Sequence, residues 1–393
     1  MKIAFAIIPE KGHVNPYIGP AQALADSGHE VVIAAPGDIG PQIARAGLVF
    51  RSDLVPQAAG DRVTRGAELV RLIQEPPRLR QWIEQLLLGS LPESINPIRE
   101  WYRREQADAV VVDPLYYAAA IAAHLEHIPW ASVSNSLNPV IPAGLDSALL
   151  QTVRHLAPRR AEIFRRFGMD ASFSGCDVLS PHLTIAFATE AFVGPPPPGV
   201  TLPGPSLPLH NRGDETPIRP LSPDRPVIYV SFGSQIYFWP EIFGKIVDAA
   251  DVLKAHLVLS LGDLVDDPRW KPPPEHCDVY RYAPQSEILR RAAVFVTHGG
   301  ANSVMEAIAA GVPMLISPMC NDQFHQAYFI ERSGVGRVEN LIAAPVAAIA
   351  DTLRDLLTKP SIRASMAAVS QTYRTNGAVT TAHLIENLVS CPG

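Results

Sequence analysis

Short apolar runs alternate with amphipathic segments of helix length along most of this chain. In the first half the apolar runs predict strands at residues 2–9, 30–35, 49–51, 109–112, 129–134 and 183–188. In the second half they predict strands at residues 227–231, 257–260, 279–282, 292–296 and 312–318. A strand, a helix and a strand at this spacing form a right-handed crossover between parallel strands. The pattern therefore predicts an α/β protein built from two alternating halves.

Segments rich in proline and glycine separate the two halves. Residues 195–198 are four consecutive prolines, and residues 203–226 are rich in proline, glycine and serine. Such a composition resists regular structure and forms a fairly stiff spacer. We predict an N-terminal domain at 1–210, a linker at 211–225 and a C-terminal domain at 226–375.

Length and composition narrow the class of protein. The chain has 393 residues, which exceeds the size at which one hydrophobic core keeps growing, so two domains are expected. It is 47% hydrophobic and 18% charged, as globular proteins are, and its net charge is −6. No basic run or basic–aromatic stripe occurs, so nucleic acid is not an expected partner. Widely spaced cysteines predict free thiols rather than a disulfide framework or a zinc site: Cys176, Cys277, Cys320 and Cys391.

Neither a membrane span nor a secretion signal is recognisable in the sequence. No apolar run approaches the ~20 residues that a transmembrane helix needs. The apolar start ends at Pro9 and lacks a cleavage site of small residues, so we interpret it as the first buried strand. We therefore predict a cytoplasmic protein without stable insertion into a membrane, and the sequence leaves its oligomeric state open.

The stretch 282–327 carries the densest candidate chemistry. A predicted strand ends in Thr297-His298-Gly299-Gly300, and a helix-like run follows Asn302 and Ser303. Glycine lets a backbone approach a ligand closely, and the free N–H groups at a helix start favour an anion. With the imidazole of His298 as a further donor, these residues predict a phosphate cradle.

Neighbouring residues extend this predicted cradle. A second strand leads to Asp322 and Gln323, an acid and an amide that together accept and donate hydrogen bonds, as sugar hydroxyls require. Glu306 lies one turn into the helix, where a ribose could present its hydroxyls. The turn after the strand at 227–231 carries Ser231 and Ser234, which are either phosphate donors or parts of an ordinary turn.

This stretch resembles the nucleotide-sugar signature of family 1 glycosyltransferases. The matching segments are Tyr282-Ala283-Pro284-Gln285, His298 through Glu306, Gly311-Val312-Pro313, Pro318, and Asp322-Gln323 with Ala327. The resemblance implies the GT-B fold, in which two Rossmann-like domains face each other across a cleft. It also implies that a C-terminal helix at 376–393 packs back on the first domain, and that residues 53–105 and 137–180 carry the acceptor pocket.

The resemblance further implies a role for each donor residue. Tyr282 would stack on the base in a position where plant enzymes have tryptophan, which leaves uridine and thymidine both open. Glu306 would bind the ribose, which favours a ribonucleotide, and Asp322 with Gln323 would bind the sugar. The implied donor-binding residues are Ser231, Ser234, Tyr282, Ala283, Gln285, His298, Gly300, Asn302, Ser303, Glu306, Asp322 and Gln323.

The candidate general base is His13. It follows the first predicted strand, in a loop before a helix that we expect to begin with Asn15 as N-cap and Pro16 as first residue. Reactive groups collect at this edge of a parallel sheet, and histidine titrates near neutrality. Asp113 ends another short strand and is the expected partner of the second ring nitrogen, with Asp108 as a weaker substitute. Each residue alone is also compatible with a helix cap, and the resemblance supports the dyad.

Together these features predict an inverting, metal-independent glycosyltransferase of the hexosyltransferase type. We expect it to move a hexose, with glucose favoured, from a nucleotide diphosphate sugar to a hydroxyl of a small, largely apolar acceptor such as a secondary metabolite. UDP is the favoured nucleotide and dTDP the second choice, and no cofactor is expected. No DxD-type acidic pair lies at a strand end, since Asp266-Asp267 falls in a loop before Pro268. The alternatives are a nucleotide-sugar epimerase of the same fold and a non-catalytic nucleotide-sugar-binding partner subunit.

Overall fold

The computed structural model describes residues 1–51, 54, 65–89, 91–221, 224–268, 270 and 276–390. Several predictions fall partly outside these residues: Cys391, sections of the expected acceptor region at 53–105, part of the linker and the last residues of the C-terminal helix.

The described strands of the first half form a parallel sheet and a hairpin. They are β1 (Lys2–Ala6), β2 (Glu30–Ala34), β3 (Val49–Arg51), β4 (Ala109–Val112), β5 (Trp130–Ser134), β6 (Ser172–Ser174), β7 (Asp177–Leu179), β8 (Leu183–Ala186) and β9 (Val200–Thr201). The sheet has the order β3-β2-β1-β4-β5-β8-β9, whereas β6 and β7 pair with each other in antiparallel orientation. Strands β4 and β5 are buried along their whole length, as expected at the centre of a parallel sheet with both faces covered.

The second half contains a parallel sheet of its own. Its described strands are β10 (Val227–Ser231), β11 (His256–Ser260), β12 (Cys277–Tyr280), β13 (Val294–Thr297), β14 (Met314–Ile316) and β15 (Gly336–Val338). Their order is β12-β11-β10-β13-β14-β15. The predicted α/β class with two alternating halves is therefore confirmed.

Helices cover both sheets. In the described part of the first half they are α1 (Lys11–Asp26), α2 (Gly40–Arg45), α3 (Ala67–Ile73), α4 (Pro76–Glu84), α5 (Leu91–Glu105), α6 (Tyr117–Leu125), α7 (Ala148–Arg166) and α8 (Glu190–Val193). In the second half they are α9 (Pro240–Val252), α10 (Gln285–Leu289), α11 (Ala301–Ala310), α12 (Gln323–Ser333), α13 (Val346–Thr358), α14 (Pro360–Thr372) and α15 (Gly377–Ser390). Among the residues that the structure describes, no helix combines the length and the apolar character needed to span a bilayer.

The strand order brings the predicted site residues of each half together. In the first sheet the chain moves outward from β1 through β2 to β3 and then returns to the other side of β1 with β4. The second sheet repeats this reversal between β10 and β13. Ligands of open parallel sheets bind beyond the carboxyl ends of the two strands at such a reversal. His13 and Asp113 follow β1 and β4, and Ser231 and His298 lie at the ends of β10 and β13.

The C-terminal helix α15 lies against the first half of the chain. A Cβ on Gly19 of α1 would come within 2.8 Å of the Cβ of Ala378, so the two helices touch at a residue without a side chain. His29 Nε2 and Glu386 Oε1 lie 2.9 Å apart along the same contact. The helix thus joins the end of the chain to its beginning, while the predicted domain bounds stay a prediction.

The first helix begins earlier than predicted. α1 starts at Lys11, after Glu10, so Asn15 is not its N-cap and Pro16 is not its first residue. His13 therefore lies in the first turn of α1 and not in a loop before it. The prediction was wrong because Asn-Pro is a typical helix start, whereas this helix continues through both Pro16 and Pro20.

Short elements account for most other differences from the prediction. The segment 137–180 contains the hairpin of β6 and β7 after helix α7, and the predicted strand at 183–188 is followed by β9 at the sheet edge. The strand β15 and the helix α12 were also not predicted. Strands of two or three residues carry too little periodicity to be recognised from sequence.

Candidate active site

A cavity of about 290 Å³ lies between the two halves. Its wall in the first half comes from the start of α1 and from α4 and α7, and its wall in the second half comes from the segments after β10, β12, β13 and β14. Asp113 lies behind His13 and is fully buried. The other predicted site residues all line the cavity: His13, Ser231, Ser234, Tyr282, Ala283, Gln285, His298, Gly300, Asn302, Ser303, Glu306, Asp322 and Gln323.

His13 and Asp113 form a hydrogen-bonded pair. Nδ1 of His13 lies 2.6 Å from Oδ2 of Asp113. The carboxylate is held in place because the backbone N–H of Asp113 donates to Ala6 in β1, and its Oδ1 accepts from the N–H of Leu115 at 3.0 Å. This pairing assigns one ring proton to Nδ1 and leaves Nε2 of His13 to take a proton in the cavity. The arrangement is that of a base with its orienting acid, and the catalytic role of the pair stays a prediction.

The surroundings of His13 favour its protonated form. Burial lowers the pKa of His13, but the charge of Asp113 and the hydrogen bond to it outweigh this effect and raise the pKa to about 9. Glu10 and Asp322 add smaller contributions in the same direction. Asp322 belongs to the second half of the chain and lines the same cavity as His13.

Asn135 belongs to this cluster and was missed by the sequence analysis. It follows β5 directly, and its Nδ2 lies 2.5 Å from Nδ1 of His13 and 3.3 Å from Oδ2 of Asp113. A polar residue directly after a buried strand was the signal that singled out Asp113, and the same signal applies to Asn135. The amide therefore touches both members of the pair and restricts their orientation.

The predicted phosphate cradle is built around the imidazole of His298. A Cβ on Gly233 would lie 2.8 Å from Cε1 of this ring, and a Cβ on Gly300 would lie 2.7 Å from its Nε2. The ring thus occupies the space that two side chains would otherwise fill. Gly233 also has a φ of +76°, which favours glycine. Beside it, Ser231 Oγ accepts from the N–H of Gly233 at 3.3 Å, and Ser234 faces the cavity.

His298 is neutral at physiological pH. Burial lowers the pKa of His298 to about 4. Its Nδ1 lies 3.3 Å from the hydroxyl of Thr297. If that hydroxyl donates, the ring proton is on Nε2, the nitrogen beside Gly300. The cradle then offers an anion a neutral N–H donor and the free N–H groups at the start of α11, rather than a fixed positive charge.

The predicted nucleoside end of the cavity lies just after β12. The ammonium group of Lys11 in the first half lies 4.6 Å from the ring centroid of Tyr282, so the predicted base-stacking residue is contacted from across the cleft. The backbone N–H of Ala283 donates to Ser260 Oγ at 3.2 Å, which fixes the segment. Gln285 begins α10 and lines the cavity next to them.

The carboxylate of Glu306, the predicted ribose ligand, is already paired within the protein. Its Oε2 accepts from Gln285 Nε2 at 3.0 Å, and its Oε1 accepts from Arg212 Nη1 at 2.8 Å. The amide of Gln285 also lies 3.3 Å from Ser303 Oγ. Each carboxylate oxygen has two lone pairs, so Glu306 can still accept from a ribose hydroxyl in this state.

Arg212 is a second residue that the sequence analysis missed. Its Nε donates to Asp214 Oδ1 at 2.7 Å, and both side chains are mostly buried and line the cavity. Burial alone would lower the pKa of Arg212, but the charges of Glu306 and Asp214 raise it. The residue lies in the segment predicted as a linker, whose composition gave no signal for a role in the site.

Asp322 and Gln323, the predicted sugar ligands, lie at the start of α12. Gln323 Oε1 accepts from the backbone N–H groups of Met319 at 2.8 Å and Cys320 at 3.1 Å, so the preceding loop fixes the orientation of the amide. Burial raises the pKa of Asp322, and the charge of the nearby His325 opposes this effect. Both predicted residues line the cavity, and their contact with a sugar stays a prediction.

Asn302, predicted to hold the diphosphate, makes a direct bond to the first half of the chain. Its Nδ2 donates to the carbonyl oxygen of Gly12 at 2.6 Å. Gly12 precedes His13, and Asn302 lies in the first turn of α11 beside the cradle. The bond therefore connects the candidate base to the candidate phosphate site.

The first-half wall of the cavity, where the acceptor is expected, includes an apolar patch. Its lining includes Trp82, Ile83, Leu86, Leu87, Leu115 and Leu149. Among the aromatic residues nearby, Trp101 belongs to the buried core, and Tyr116 and Tyr117 line a smaller neighbouring cavity. Asp177 forms part of the polar floor, and burial raises the pKa of its carboxyl to about 7.

Comparisons with known sequences point in the same direction as this geometry. The profile of the family described as UDP-glucoronosyl and UDP-glucosyl transferase matches residues 215–376. The chain is 25% identical to the NDP-glycosyltransferase YjiC of Bacillus subtilis (strain 168), over 85% of this chain and 83% of that protein. It is 26% identical to the demethyllactenocin mycarosyltransferase of Streptomyces fradiae, over 99% of this chain and 86% of that protein.

A comparison with solved structures gives the same fold. The crystal structure of the glycosyltransferase VinC in complex with dTDP superimposes with a TM-score of 0.74 at 19% sequence identity, covering 99% of this chain and 100% of that one. The predicted GT-B architecture, with two Rossmann-like sheets on either side of a cleft, is thereby confirmed.

Proposed function

Because the chain belongs to the family 1 glycosyltransferases of the GT-B fold, we propose that it transfers a hexose, with glucose favoured, from a nucleotide diphosphate sugar to a hydroxyl of a small, largely apolar acceptor. The observation that carries this proposal is the position of His13. Its imidazole is paired with Asp113 at 2.6 Å and lines the same cavity as His298 and the start of α11.

The proposed reaction divides between the two halves. Nε2 of His13 removes the proton from the acceptor hydroxyl, and the oxygen attacks the anomeric carbon from the face opposite the nucleotide. Asp113 stabilises the imidazolium that forms. The configuration at the anomeric carbon inverts, so an α-linked donor gives a β-glycoside.

The leaving diphosphate gains negative charge as the glycosidic bond breaks. The proposed donors to this charge are His298 Nε2, the N–H groups at the start of α11, Ser231 and Ser234. Fixed donors aimed at developing charge can supply the stabilisation that a metal ion gives in other enzymes. We therefore propose a metal-independent transfer without a cofactor, and expect full activity in the presence of a chelator.

UDP is the nucleotide that we favour. Glu306 lies where a ribose is expected, and the matching family profile is described by UDP-sugar transferases. dTDP is the second choice, because the similar structure of VinC is a complex with dTDP. Tyr282 suits either base, since stacking does not distinguish uracil from thymine strongly.

The proposed acceptor class is a natural product with an apolar body. The first-half wall of the cavity carries an apolar patch of Trp82 and several aliphatic side chains, which would suit such a body. The relative from Streptomyces fradiae is named as a transferase acting on demethyllactenocin, a further reason to start from secondary metabolites. Cytoplasmic location remains part of this proposal.

The deciding experiment is an acceptor panel of phenols, macrolides, carotenoids and lipids, run with UDP-glucose and with dTDP-glucose. We expect β-glucosides, identified by the anomeric coupling in NMR, and His13→Ala should lower turnover by roughly 10²- to 10⁴-fold. His182→Ala, which removes an exposed histidine outside the cavity, is the matched control.

The outcomes separate the alternative functions. A donor that binds without any acceptor being glycosylated would favour the non-catalytic binding subunit. Conversion of the free nucleotide sugar to its epimer would favour the epimerase. Wild-type turnover in His13→Ala would remove His13 as the base, and loss of activity with a chelator would overturn the metal-independent mechanism.

A further inference from the structure

Helix α1 contains two prolines one turn apart, Pro16 and Pro20. An α-helix pairs the N–H of each residue with the carbonyl four residues earlier, and proline has no N–H to donate. The carbonyl of Gly12 therefore has no helical partner at residue 16, and the carbonyl of Pro16 has none at residue 20.

Both of these carbonyls are used by other parts of the chain. The oxygen of Gly12 accepts from Asn302 Nδ2 at 2.6 Å, and the oxygen of Pro16 accepts from Ser206 Oγ at 2.6 Å. The proline ring also clashes with the carbonyl four residues earlier, which turns that carbonyl away from the helix axis. Each proline thus presents one backbone acceptor to a partner outside α1.

The first of these bonds joins the two catalytic components of the proposed reaction. Gly12 immediately precedes His13, and Asn302 lies two residues after Gly300, which packs against His298. The attacking oxygen and the anomeric carbon must meet within a few tenths of an ångström, and a displacement of about 1 Å can reduce the rate by about 100-fold.

We propose that Pro16 is a positioning residue, which keeps the Gly12 carbonyl free for Asn302 and so holds His13 at a fixed distance from the phosphate cradle. This inference rests on the proposed function and adds a residue that touches neither substrate. Asn302 acts across the cleft in this scheme, in addition to its predicted contact with the diphosphate.

A purely structural role for Pro16 predicts a different behaviour. If the proline only shaped α1, replacing it with alanine would restore a helical N–H and change stability alone, because alanine is the better residue inside a helix. In our scheme the restored N–H competes with Asn302 for the Gly12 oxygen. Pro16→Ala then keeps or raises the melting temperature while turnover falls.

The test compares Pro16→Ala with Pro20→Ala in the full-length protein. Both changes remove a proline from α1, but the carbonyl freed by Pro20 bonds Ser206 and not Asn302. We expect Pro16→Ala to lower kcat about tenfold with little change in the donor KM, and Pro20→Ala to stay within about twofold of the wild type. Equal kcat values for the two variants would overturn the proposal.

A double-mutant cycle with Asn302→Ala provides a second measurement that does not need activity. If the bond to Gly12 is the reason for the effect, Asn302→Ala lowers the melting temperature in the wild-type background, and lowers it less in the Pro16→Ala background. Equal shifts in both backgrounds would overturn the positioning role. A wild-type chain that transfers no sugar would overturn the proposed function instead, and the cycle could still be measured.

Discussion

The reactivity of His13 is set by opposing effects of its surroundings. Burial lowers its pKa, whereas Asp113 raises it. The effect of Asp113 is the larger one, so the net pKa is about 9. As the proposed base, His13 must be neutral to accept a proton, so the active fraction should grow as the pH rises toward that value. His298 shows the opposite case, because burial without a charged partner lowers its pKa to about 4 and keeps it a neutral donor. Two histidines of one cavity thus have different protonation states at neutral pH.

Asp113→Asn tests this assignment through the pH profile. Without the carboxylate, burial is no longer outweighed, so the pKa of His13 should fall. The rising limb of kcat/KM, which reports the free enzyme, should then move to lower pH by at least about one unit. The plateau should lie about 100-fold or more below that of the wild type, because the imidazolium loses its partner. An unmoved rising limb would show that another group controls the profile.

The proposed phosphate cradle is formed by two elements together and not by single residues. The turn after β10 and the start of α11 approach each other only because Gly233 and Gly300 leave room for the ring of His298. Glycine at position 300 is not required by its backbone, whose φ is −62°. The absence of a side chain at this position is therefore explained by packing against the imidazole.

Gly300→Ala tests the fit between these elements. The added Cβ would lie 2.7 Å from Nε2 of His298, so the ring must leave its position. Loss of one hydrogen bond to a charged group should raise the donor KM by about 10- to 100-fold. Gly244→Ala in α9 is the control, since a Cβ there meets nothing within 4 Å. An unchanged donor KM would exclude His298 as a phosphate donor.

At the scale of the whole molecule, segments of each half reach across to the other. Helix α3 of the first half begins where the N–H of Gly66 donates to the carbonyl of Gln235 at 2.6 Å, and Val70 joins a core cluster of the second half.

The linker also contacts both halves of the chain. Gln22 Nε2 donates to the carbonyl of Asn211 at 2.8 Å, which holds the linker to the first half, while Arg212 reaches Glu306 in the second. The linker therefore contributes Arg212 to the wall of the proposed donor site.

Arg212→Met tests this connection. The change leaves the buried carboxylate of Glu306 without its cation, which is strongly destabilising when a buried pair is broken. We expect a lower melting temperature and a donor KM raised about tenfold or more. Arg290→Met, which removes an exposed pair with Glu287, should change neither by more than about twofold. A donor KM like that of the wild type would limit Arg212 to a structural role.

The sequence by itself determined the alternation of strands and helices, and it marked the polar residues that follow buried strands. These features are local, because each depends on periodicity and on the residues next to a strand end. His13, Asp113, His298 and the start of α11 were accessible in this way. The order of the strands within each sheet was not predicted, since the sequence does not show which strands become neighbours.

Tertiary structure alone decided the contacts between distant segments. The pairing of Asp113 with His13, the bond from Asn302 to Gly12 and the ion pair of Arg212 with Glu306 join residues about 90 to 290 positions apart. The helical start of α1 was also hidden, because Asn15-Pro16 resembles a helix boundary and the helix nevertheless continues through it. Such contacts depend on how two sheets and a linker pack, and packing leaves no periodic trace in the chain.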